Sequence, residues 1–517
     1  MQTVSPSFAP YSDTRWADMR VVFRLVDTTA ASNATATASG SNTVSQLTQT
    51  HDNIEGMSQK WATLENGGWF LDGTYQIMPD DVAGQHTGWW SDVLSGADSL
   101  FVSDPTLTFN FTADHDSIGF TVIFDDKANM YPAEFVISAY NSTNTLIDSQ
   151  TVACTSARQV VDMPVTDYRK VVIQFTRTQL PYQHIRVAEV IFGIVQNFDR
   201  SNSTAGSVLY EVSPTANNLP SNELEITFDN TDRKYNMINP NGLYSYLQQS
   251  QPLDVEIGIG ESKNALEYVN MGRFYFAKSR AEDSSTTAKI TAYDRFYTLD
   301  KSICRIGTTG TWTVSAAVAA VISDSGLDVT TSIPAAIGNI TINKCIPSEA
   351  THREALRLIA QAAMCTCYFN RDDELIFATL TEGTLVDTLD NNNLYDVAKI
   401  SVTDRANTVE LTVRDEYAET ETLYTANNIA AGESVQTLSV DNPLVAAANG
   451  STVAGWLLTM ANKRLIYELA ERGNPARELG DTVKIYDAYG ENRNAIITKE
   501  DFTFDGTLKA STKAWGG

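Results

Sequence analysis

The stretch Ile118–Phe124, which reads I-G-F-T-V-I-F, decides the fold class of this chain. Every second residue from Ile118 to Phe124 is large and apolar, which is the period of a β-strand. Similar short apolar runs surround it, separated by turn residues: Thr106–Phe111, Glu134–Tyr140, Lys170–Phe175 and Arg186–Phe192. Many short strands without a helical pattern predict a jelly-roll β-sandwich, which we place at residues 51–200.

One further strand is predicted before the sandwich. Arg20–Val26 reads R-V-V-F-R-L-V, and it is followed by a stretch of Ala, Ser, Thr, Asn and Gly over residues 28–50. That composition indicates a linker or a long loop. We therefore assign residues 1–50 to a first strand and a linker. Because a lone strand is not stable, we expect residues 15–28 to pair with a β-barrel formed further along the chain.

The second half of the chain is predicted to hold two β-barrel domains around an α+β domain. Residues 201–302 form the first barrel, residues 303–395 the α+β domain, and residues 396–517 the second barrel with a helix at 452–472. Strands of the first barrel are predicted at Leu224–Asn230, Leu253–Gly258, Tyr268–Ser279 and Thr286–Arg295. In the middle domain we predict helices at Thr313–Ile322 and Thr351–Ala363 and a hairpin of Cys367–Phe369 with Leu375–Leu380. The fold class is thus mainly β with a few helices (α+β).

Composition narrows the range of partners. The chain has 517 residues and a net charge of −26, with 37 basic against 63 acidic side chains. Tight binding of nucleic acid is not expected, because phosphate affinity comes from cationic side chains. The first residues lack the charged and apolar regions of an export signal. No run approaches the ~18 apolar residues that span a bilayer, so we expect no membrane-spanning segment.

Neither a metal nor a cofactor is predicted. Cys365 and Cys367 would share one face of a strand, a geometry that a metal could use, but we favour buried thiols because no second pair with zinc spacing is apparent. No nucleotide-binding loop, nucleophile elbow or zinc-protease motif is present. The five histidines show no catalytic spacing, and His352 is expected at the surface of a helix. The acidic pairs Asp125-Asp126 and Asp372-Asp373 are read as turn residues, so we predict no catalytic residues and no enzyme.

Aromatic residues in the sandwich are the best candidates for ligand binding. Exposed tryptophan and tyrosine rings stack on sugars, whereas buried rings fill a core. The candidate carbohydrate-binding residues are Trp69, Trp89, Trp90 and Tyr131. Core packing remains the alternative for each of them.

Several segments, taken in their order, resemble hub proteins of bacteriophage tail tips and baseplates. They are the strand ending in a D-N turn at Leu224–Asn230, the segment Tyr235–Gly242, a "V-x-M-G-x-F/Y" strand at Val269–Tyr275, "T-A-Y-D-R" at Thr291–Arg295, and the helix and hairpin from Arg353 to Phe377. Thr63–Glu65, Leu71–Gly73 and Gly88–Ser91 look like a galactose-binding-like sandwich inserted near the start of such hubs. The likeness is to the hub of the tail-associated-lysin family and covers nearly the whole chain.

The resemblance implies a structural virion protein. It would form a homotrimer at the tail tip, sit on the ring of distal tail protein, contact the tape measure protein and open for DNA. Receptor-binding or other tail-fibre proteins and a host cell-wall polysaccharide are further implied partners, and assembly would occur in the host cytoplasm. The lysin of some relatives is expected to be missing, since the chain stops at Gly517. We expect Tyr424–Asn449, rich in Ala, Asn and Gly, to bury little and to move on opening.

Two other functions remain open. A cell-surface carbohydrate-binding, lectin-like protein would use the sandwich as its working part. A glycoside hydrolase would need two carboxylates at a set separation across a cleft.

Overall fold

The computed structural model describes residues 1–54, 56–78, 82–239, 242–486 and 492–516. Pro240 and Asn241 of the hub-like segment, and Gly517, lie outside these ranges. The chain divides into two compact units. Unit 1 comprises Met1–Val22, Asn197–Asn236 and Pro252–Gly517, and unit 2 comprises Phe23–Gln196 and Met237–Gln251.

The strands in chain order are β1 Trp16–Val26, β2 Ala34–Ala38, β3 Trp61–Ala62, β4 Gln76–Ile77, β5 Trp89–Trp90, β6 Thr106–Phe124, β7 Pro132–Tyr140, β8 Leu146–Ala153, β9 Arg158–Thr178, β10 Arg186–Ile191, β11 Gly193–Phe198, β12 Ser203–Glu211, β13 Glu223–Asp229, β14 Pro252–Gly260, β15 Glu267–Ala281, β16 Thr287–Tyr293, β17 Thr311–Thr313, β18 Thr331–Ser332, β19 Thr341–Asn343, β20 Thr366–Phe369, β21 Leu375–Ala378, β22 Leu385–Leu389, β23 Lys399–Val402, β24 Thr408–Asp415, β25 Thr420–Asn427, β26 Thr437–Asp441, β27 Leu465–Glu471, β28 Thr482–Tyr486, β29 Asn492–Phe504 and β30 Leu508–Gly516. The α-helices are α1 Ala30–Asn33, α2 Arg295–Leu299, α3 Val314–Ser325, α4 Ala335–Gly338, α5 His352–Ala362 and α6 Gly450–Ala461, and 3-10 turns span Leu47–His51 and Tyr244–Tyr246. The predicted fold class, mainly β with a few helices, is confirmed.

Unit 2 is built on a sheet in the order β5-β10-β6-β9-β7-β8, with β2 added to β6. The alternation seen at Ile118–Phe124 places Phe120, Val122 and Phe124 in a core where each is fully buried. Edge-to-face rings fill much of that core, for example Phe109 against Phe192 with centroids 5.2 Å apart. Aromatic side chains therefore make up a large part of the buried core of this unit.

The linker prediction for residues 28–50 is wrong at residues 30–38. Ala30–Asn33 form α1, and Ala34–Ala38 pair with β6 in the register Ala34↔Phe111 to Ala38↔Leu107. The sequence A-T-A-T-A has strand period, and its alanines pack against the aromatic core. The small size of alanine concealed this pattern, since the composition alone is typical of a loop.

Unit 1 contains the larger sheet. Among the described residues it has thirteen strands, in the order β11-β1-β14-β15-β16-β13-β12-β29-β30-β27-β23, with β28 pairing β29 and β22 pairing β28. The boundary between the units falls inside β1 and inside β11. Strands predicted for two separate barrels belong to this one sheet, because β12 pairs with β29 over Gly206↔Phe504 to Glu211↔Lys499.

The helices of unit 1 pack around α5. Thr351 caps α5 as predicted, with its Oγ1 accepting a hydrogen bond from Glu354 N at 3.2 Å. In a complete capping box, the Glu354 carboxylate would accept a hydrogen bond from the backbone N–H of Thr351. Here it accepts two hydrogen bonds from the Arg357 guanidinium instead. The apolar stripe of α5, with Leu356 and Ile359 fully buried, faces a core shared with α3, α6 and β24.

Three local predictions for unit 1 are corrected. The helix predicted at 452–472 ends at Ala461, because Leu465–Glu471 forms a strand that pairs with β30 and whose residues from Tyr467 onward are alternately buried and exposed. His352 is 2% exposed rather than at the surface, since both of its ring nitrogens have partners inside the fold. The segment Tyr424–Asn449 does not lack buried residues, because Leu444 and Val445 are fully buried in the core of α5.

Within the described residues, no helix combines the length and the apolar character that crossing a membrane would require.

Candidate functional site

The candidate site is a cavity of about 390 Å³ in unit 2, a volume within the usual range for small-molecule pockets. It is lined by the side chains of Asn42, Val44, Thr63, Leu64, Glu65, Met78, Trp90, Leu94, Tyr182 and His184. Tyr182 is 54% exposed and stands in the left-handed region with φ of 61°. An aromatic ring is therefore held at the mouth of the cavity by a turn that few residue types adopt.

A buried arginine, which does not itself line the cavity, contacts three of the residues that do: Thr63, Glu65 and Trp90. The Arg186 side chain is 1% exposed; it donates to Asp125 Oδ2 at 2.7 Å, to Glu65 Oε1 at 2.9 Å and to Thr63 Oγ1 at 3.0 Å. Its guanidinium also lies 4.0 Å from the centroid of the Trp90 ring. The pairing Arg186↔Trp90 between β10 and β5 brings these two residues together.

The charges of this cluster are balanced by close contacts. Burial alone would raise the pKa of Glu65, but hydrogen bonds from His184 and the charge of Arg186 outweigh it and lower that pKa to about 2. Burial raises the pKa of Asp125, although Arg186 opposes the shift. Glu65 is thus an anion at neutral pH that fixes His184 and Arg186 rather than a group poised to exchange a proton.

The four aromatic residues predicted to bind carbohydrate lie in different environments in the structure. Trp89 is fully buried, stacks on Phe175 at 5.8 Å and donates from Nε1 to Gly40 O at 3.0 Å. Trp89 therefore fills the core, and its prediction as a sugar-binding residue is corrected. Tyr131 is half-buried against the same core, with its hydroxyl donating to Thr155 O at 3.2 Å.

The other two predicted residues occupy different surroundings. Trp90 lines the cavity but is only 2% exposed, because Arg186 covers its face. Trp69 is 57% exposed on a loop whose neighbours Phe70 and Leu71 are exposed by 58% and 92%. Trp69 does not line the cavity, so the loop and the cavity are two distinct surfaces of unit 2.

Residues of the two acidic pairs form hydrogen bonds within the fold, and both cysteines of the C-x-C pair are buried. Asp125 is bound to Arg186, and Asp126 accepts a hydrogen bond from Met57 N at 2.8 Å. Asp373 accepts from Arg295 Nε at 2.8 Å. Cys365 and Cys367 are 1% and 2% exposed in the core around α5, and burial raises the pKa of Cys365 to about 12.

Two groups of side chains in the described part of the chain have ligand atoms within 4.8 Å of one another. One is Asp52, His86 and Glu189 in unit 2, and the other is Cys304, Asp324 and His352 in unit 1. Sequence reasoning missed both groups, because their members are far apart along the chain.

The cavity residues were also missed, for the same reason. Glu65 and Arg186 are 121 positions apart, and Tyr182 and His184 carry no motif. The available signal was an arginine at the start of a mostly apolar strand, since a buried arginine requires a carboxylate partner. This rule predicts that Arg186 pairs with an acidic residue, but it does not identify which one.

Neither a known protein family nor a curated protein matches the sequence. Solved structures with a similar arrangement include a tail protein from Neisseria meningitidis (10% identity, 62% of this chain and 93% of that chain, TM-score 0.46). A 43 kDa tail protein of prophage MuSo2 from Shewanella oneidensis matches at 15% identity over 62% of this chain and 93% of its own, with a TM-score of 0.42.

A third similar structure covers a smaller part of the chain. It is a family 32 carbohydrate-binding module of NanJ from C. perfringens, determined with galactose, at 12% identity. It covers 33% of this chain and 97% of that chain, with a TM-score of 0.22.

Proposed function

We propose that this chain is a structural virion protein, the hub that closes the distal end of a phage tail tube and opens for DNA. The observation that carries the proposal is the way unit 1 assembles the segments that resemble tail hubs. The strands β15, β16 and β13, which contain three of those segments, are neighbours in the sheet in that order. The T-A-Y-D-R strand lies between the other two, in the register Tyr275↔Tyr293 and Glu223↔Tyr293.

The same segments also meet at one ion pair. Arg295, which ends T-A-Y-D-R, contacts Asp373 in the hairpin turn at 2.7 Å, and Asp373 also accepts from the hydroxyl of Tyr275 at 2.5 Å. Gly272 of the V-x-M-G strand has φ of 99°, and a Cβ there would stand 3.2 Å from the Arg371 backbone of that turn. Gly272, Tyr275 and Arg295 of the segments that carry the resemblance thus contact the turn of the hairpin.

A hub function requires a closed ring, so oligomeric state is the direct test. We expect the purified chain to have about three times the mass of the 56.7 kDa protomer by light scattering, and to show a ring with a lumen in negative-stain images. A stable monomer at micromolar concentration would contradict the hub and favour the lectin-like alternative. The distal tail protein ring, the tape measure and fibre proteins are the partners that such a ring would contact.

We further propose that unit 2 attaches the virion to host-surface carbohydrate through the cavity around Tyr182. The supporting observation is that the exposed ring of Tyr182 lines a cavity together with the polar side chains of Glu65 and His184, and that exposed aromatic rings stack on sugars. A glycan array probed with the full chain tests this. Tyr182→Asn removes the ring while keeping a residue that tolerates a left-handed backbone, and it should abolish binding.

Trp69→Ala is the matched variant for the carbohydrate test. Its ring is equally exposed but lies outside the cavity. If Trp69→Ala loses glycan binding and Tyr182→Asn retains it, the exposed loop carries attachment and the assignment to the cavity is wrong.

A further inference from the structure

Three side chains from separate parts of unit 1 converge beside α5. Cys304 lies in the connection between α2 and β17, Asp324 in the last turn of α3 and His352 in the first turn of α5. Cys304 and His352 are 1% and 2% exposed, and the thiol, a carboxylate oxygen and an imidazole nitrogen all lie within 4.8 Å of one another. The sequence predicts no metal at Cys365 and Cys367, and that prediction does not extend to this group.

We propose that Cys304, Asp324 and His352 bind one Zn²⁺ ion. Thiolate, imidazole and carboxylate are the ligands that zinc takes in proteins, at roughly 2.0–2.3 Å from the metal. Such distances place tetrahedral ligands roughly 3–4 Å apart. The observed group is close to this spacing, so shifts of about 1 Å or less would complete it.

The hydrogen bonds of His352 fix its ring in the form that ligates a metal. Nδ1 lies 3.0 Å from both the carbonyl oxygen and the hydroxyl oxygen of Ser302. The carbonyl can only accept, so it gains a hydrogen bond when Nδ1 carries the proton. Nε2 then presents its lone pair to Asp324 Oδ2 at 2.9 Å. Two electron pairs at that distance need a cation between them, and a backbone carbonyl behind the ligating histidine is the usual support in metal sites.

The Asp324 carboxylate has matching support. Its Oδ2 accepts a hydrogen bond from Arg305 N at 3.1 Å. The short segment Ser302–Arg305 thus supplies one ligand and holds both of the others. The Asp324 side chain is 28% exposed, which gives an ion a path from solvent.

A zinc ion here would connect three elements of unit 1. Three protein ligands leave the fourth position for a water molecule, and the ligands tie α3, α5 and the segment before α3 together. The alternative that uses the same contacts is an imidazolium–carboxylate ion pair, in which a proton replaces the metal and the thiol takes no part. Sulfur ligation is therefore what separates the two.

Cobalt substitution on the full-length chain tests the proposal. Co²⁺ bound to a thiolate gives an intense charge-transfer band in the near ultraviolet, and competition with Zn²⁺ should remove it. We expect this band in the wild type at one cobalt per chain, its loss in Cys304→Ser, and at least about tenfold weaker binding in Asp324→Asn. Cobalt held by Asp52, His86 and Glu189 would give no such band, because that group has no sulfur.

Cys365→Ser is the matched control. Cys365 is equally buried in the same core but lies outside the group, and a serine could keep its bond to Ala360 O. This variant should retain the band, and zinc should raise the melting temperature of both Cys365→Ser and the wild type but not of Cys304→Ser. Absence of the band in the wild type, or its persistence in Cys304→Ser, overturns the proposal in favour of the ion pair.

Discussion

Individual buried charges give unit 2 and unit 1 opposite responses to pH. In unit 2, the pKa of Glu65 is about 2 in the folded chain against a reference of 4.5. A carboxyl group whose pKa is lowered by folding contributes stability that is present above its unfolded pKa and lost as pH falls through the folded pKa. The contribution of Glu65 is thus complete at neutral pH.

We expect unit 2 to lose stability between about pH 4.5 and 2 through Glu65. The loss is at most about 3.5 kcal/mol, at about 1.4 kcal/mol per pKa unit. Thermal unfolding of wild type and Glu65→Gln across this range measures it, and the gap between the two should shrink as pH falls. A gap that is independent of pH would show that the ion pair with Arg186 contributes nothing through ionisation.

In unit 1, the carboxyl group of Glu500 shifts the other way. Arg477 is fully buried and contacts Glu500 at 2.9 Å while it also binds Glu471. Burial raises the pKa of Glu500 to about 7; Arg477 and Arg371 oppose the shift, whereas Glu471 and Asp481 add to it. One guanidinium between two carboxylates cannot fully compensate both once they are out of water.

We predict that Glu500→Gln becomes progressively more favourable relative to wild type as pH rises from about 5 to 8. Stability tied to a raised carboxyl pKa is fully present below the unfolded pKa and is lost as pH rises through the folded value. Melting temperatures at several pH values test the slope, with the exposed Glu261→Gln as a control for charge alone. Equal slopes for the two variants would contradict the prediction.

At the scale of elements, the atoms around a glycine decide whether it can be replaced by alanine. Gly119 lies in β6 beside an irregular register with β9, and a Cβ there would meet the Val161 carbonyl oxygen at 2.1 Å. Gly455 lies inside α6 with no atom within 4 Å of its Cβ position. The same substitution should therefore have opposite effects in the two elements.

We expect Gly119→Ala to destabilise unit 2 by roughly 2–4 kcal/mol, because a rigid carbonyl must move. Gly455→Ala should stabilise unit 1 by about 0.5–1 kcal/mol, the usual gain of alanine over glycine in a helix interior. Urea unfolding curves of the two variants measure both changes. A neutral Gly119→Ala would mean that β6 and β9 can separate without cost at this point.

Elements with a strong period were predictable from sequence, and those set by distant partners were not. The alternation in β6 and the capped amphipathic helix α5 are local signals, and both appear as expected. The sequence predicts helix for Leu465–Glu471, because the conformation of this segment is decided by its pairing with the distant strand β30, from Leu465↔Gly516 to Glu471↔Ala510. The cavity around Tyr182 could not be predicted, since Glu65 and Arg186 meet only after the sheet has formed.

At the scale of the whole molecule, charge suits the proposed role. A net charge of −26 gives a surface that repels phosphate backbones on average, which would suit a channel that DNA must pass without binding. The hub proposal and carbohydrate attachment depend on different units of the chain. Removing one unit should therefore separate the two functions.

The structure shows where the sandwich can be removed. The chain enters it after Asp27 and leaves it before Gly193, and Asp27 N donates to the Phe192 carbonyl at 3.3 Å. Gly193 packs so closely that a Cβ there would stand 2.3 Å from the Leu25 carbonyl oxygen. The ends of β1 and β11 are thus near enough for a two-residue turn, and Asn-Gly is the sequence that favours one.

We predict that deleting residues 28–192 and joining Asp27 to Gly193 through Asn-Gly leaves a folded hub. Gln251 Nε2 donates to the Val26 carbonyl at 3.0 Å, a contact that the deletion retains. Light scattering should give the same number of protomers per particle for the shortened chain as for the full chain. The shortened chain should no longer bind glycans. A shortened chain that is folded by circular dichroism but monomeric, beside a trimeric full chain, would show that the sandwich itself holds the ring together.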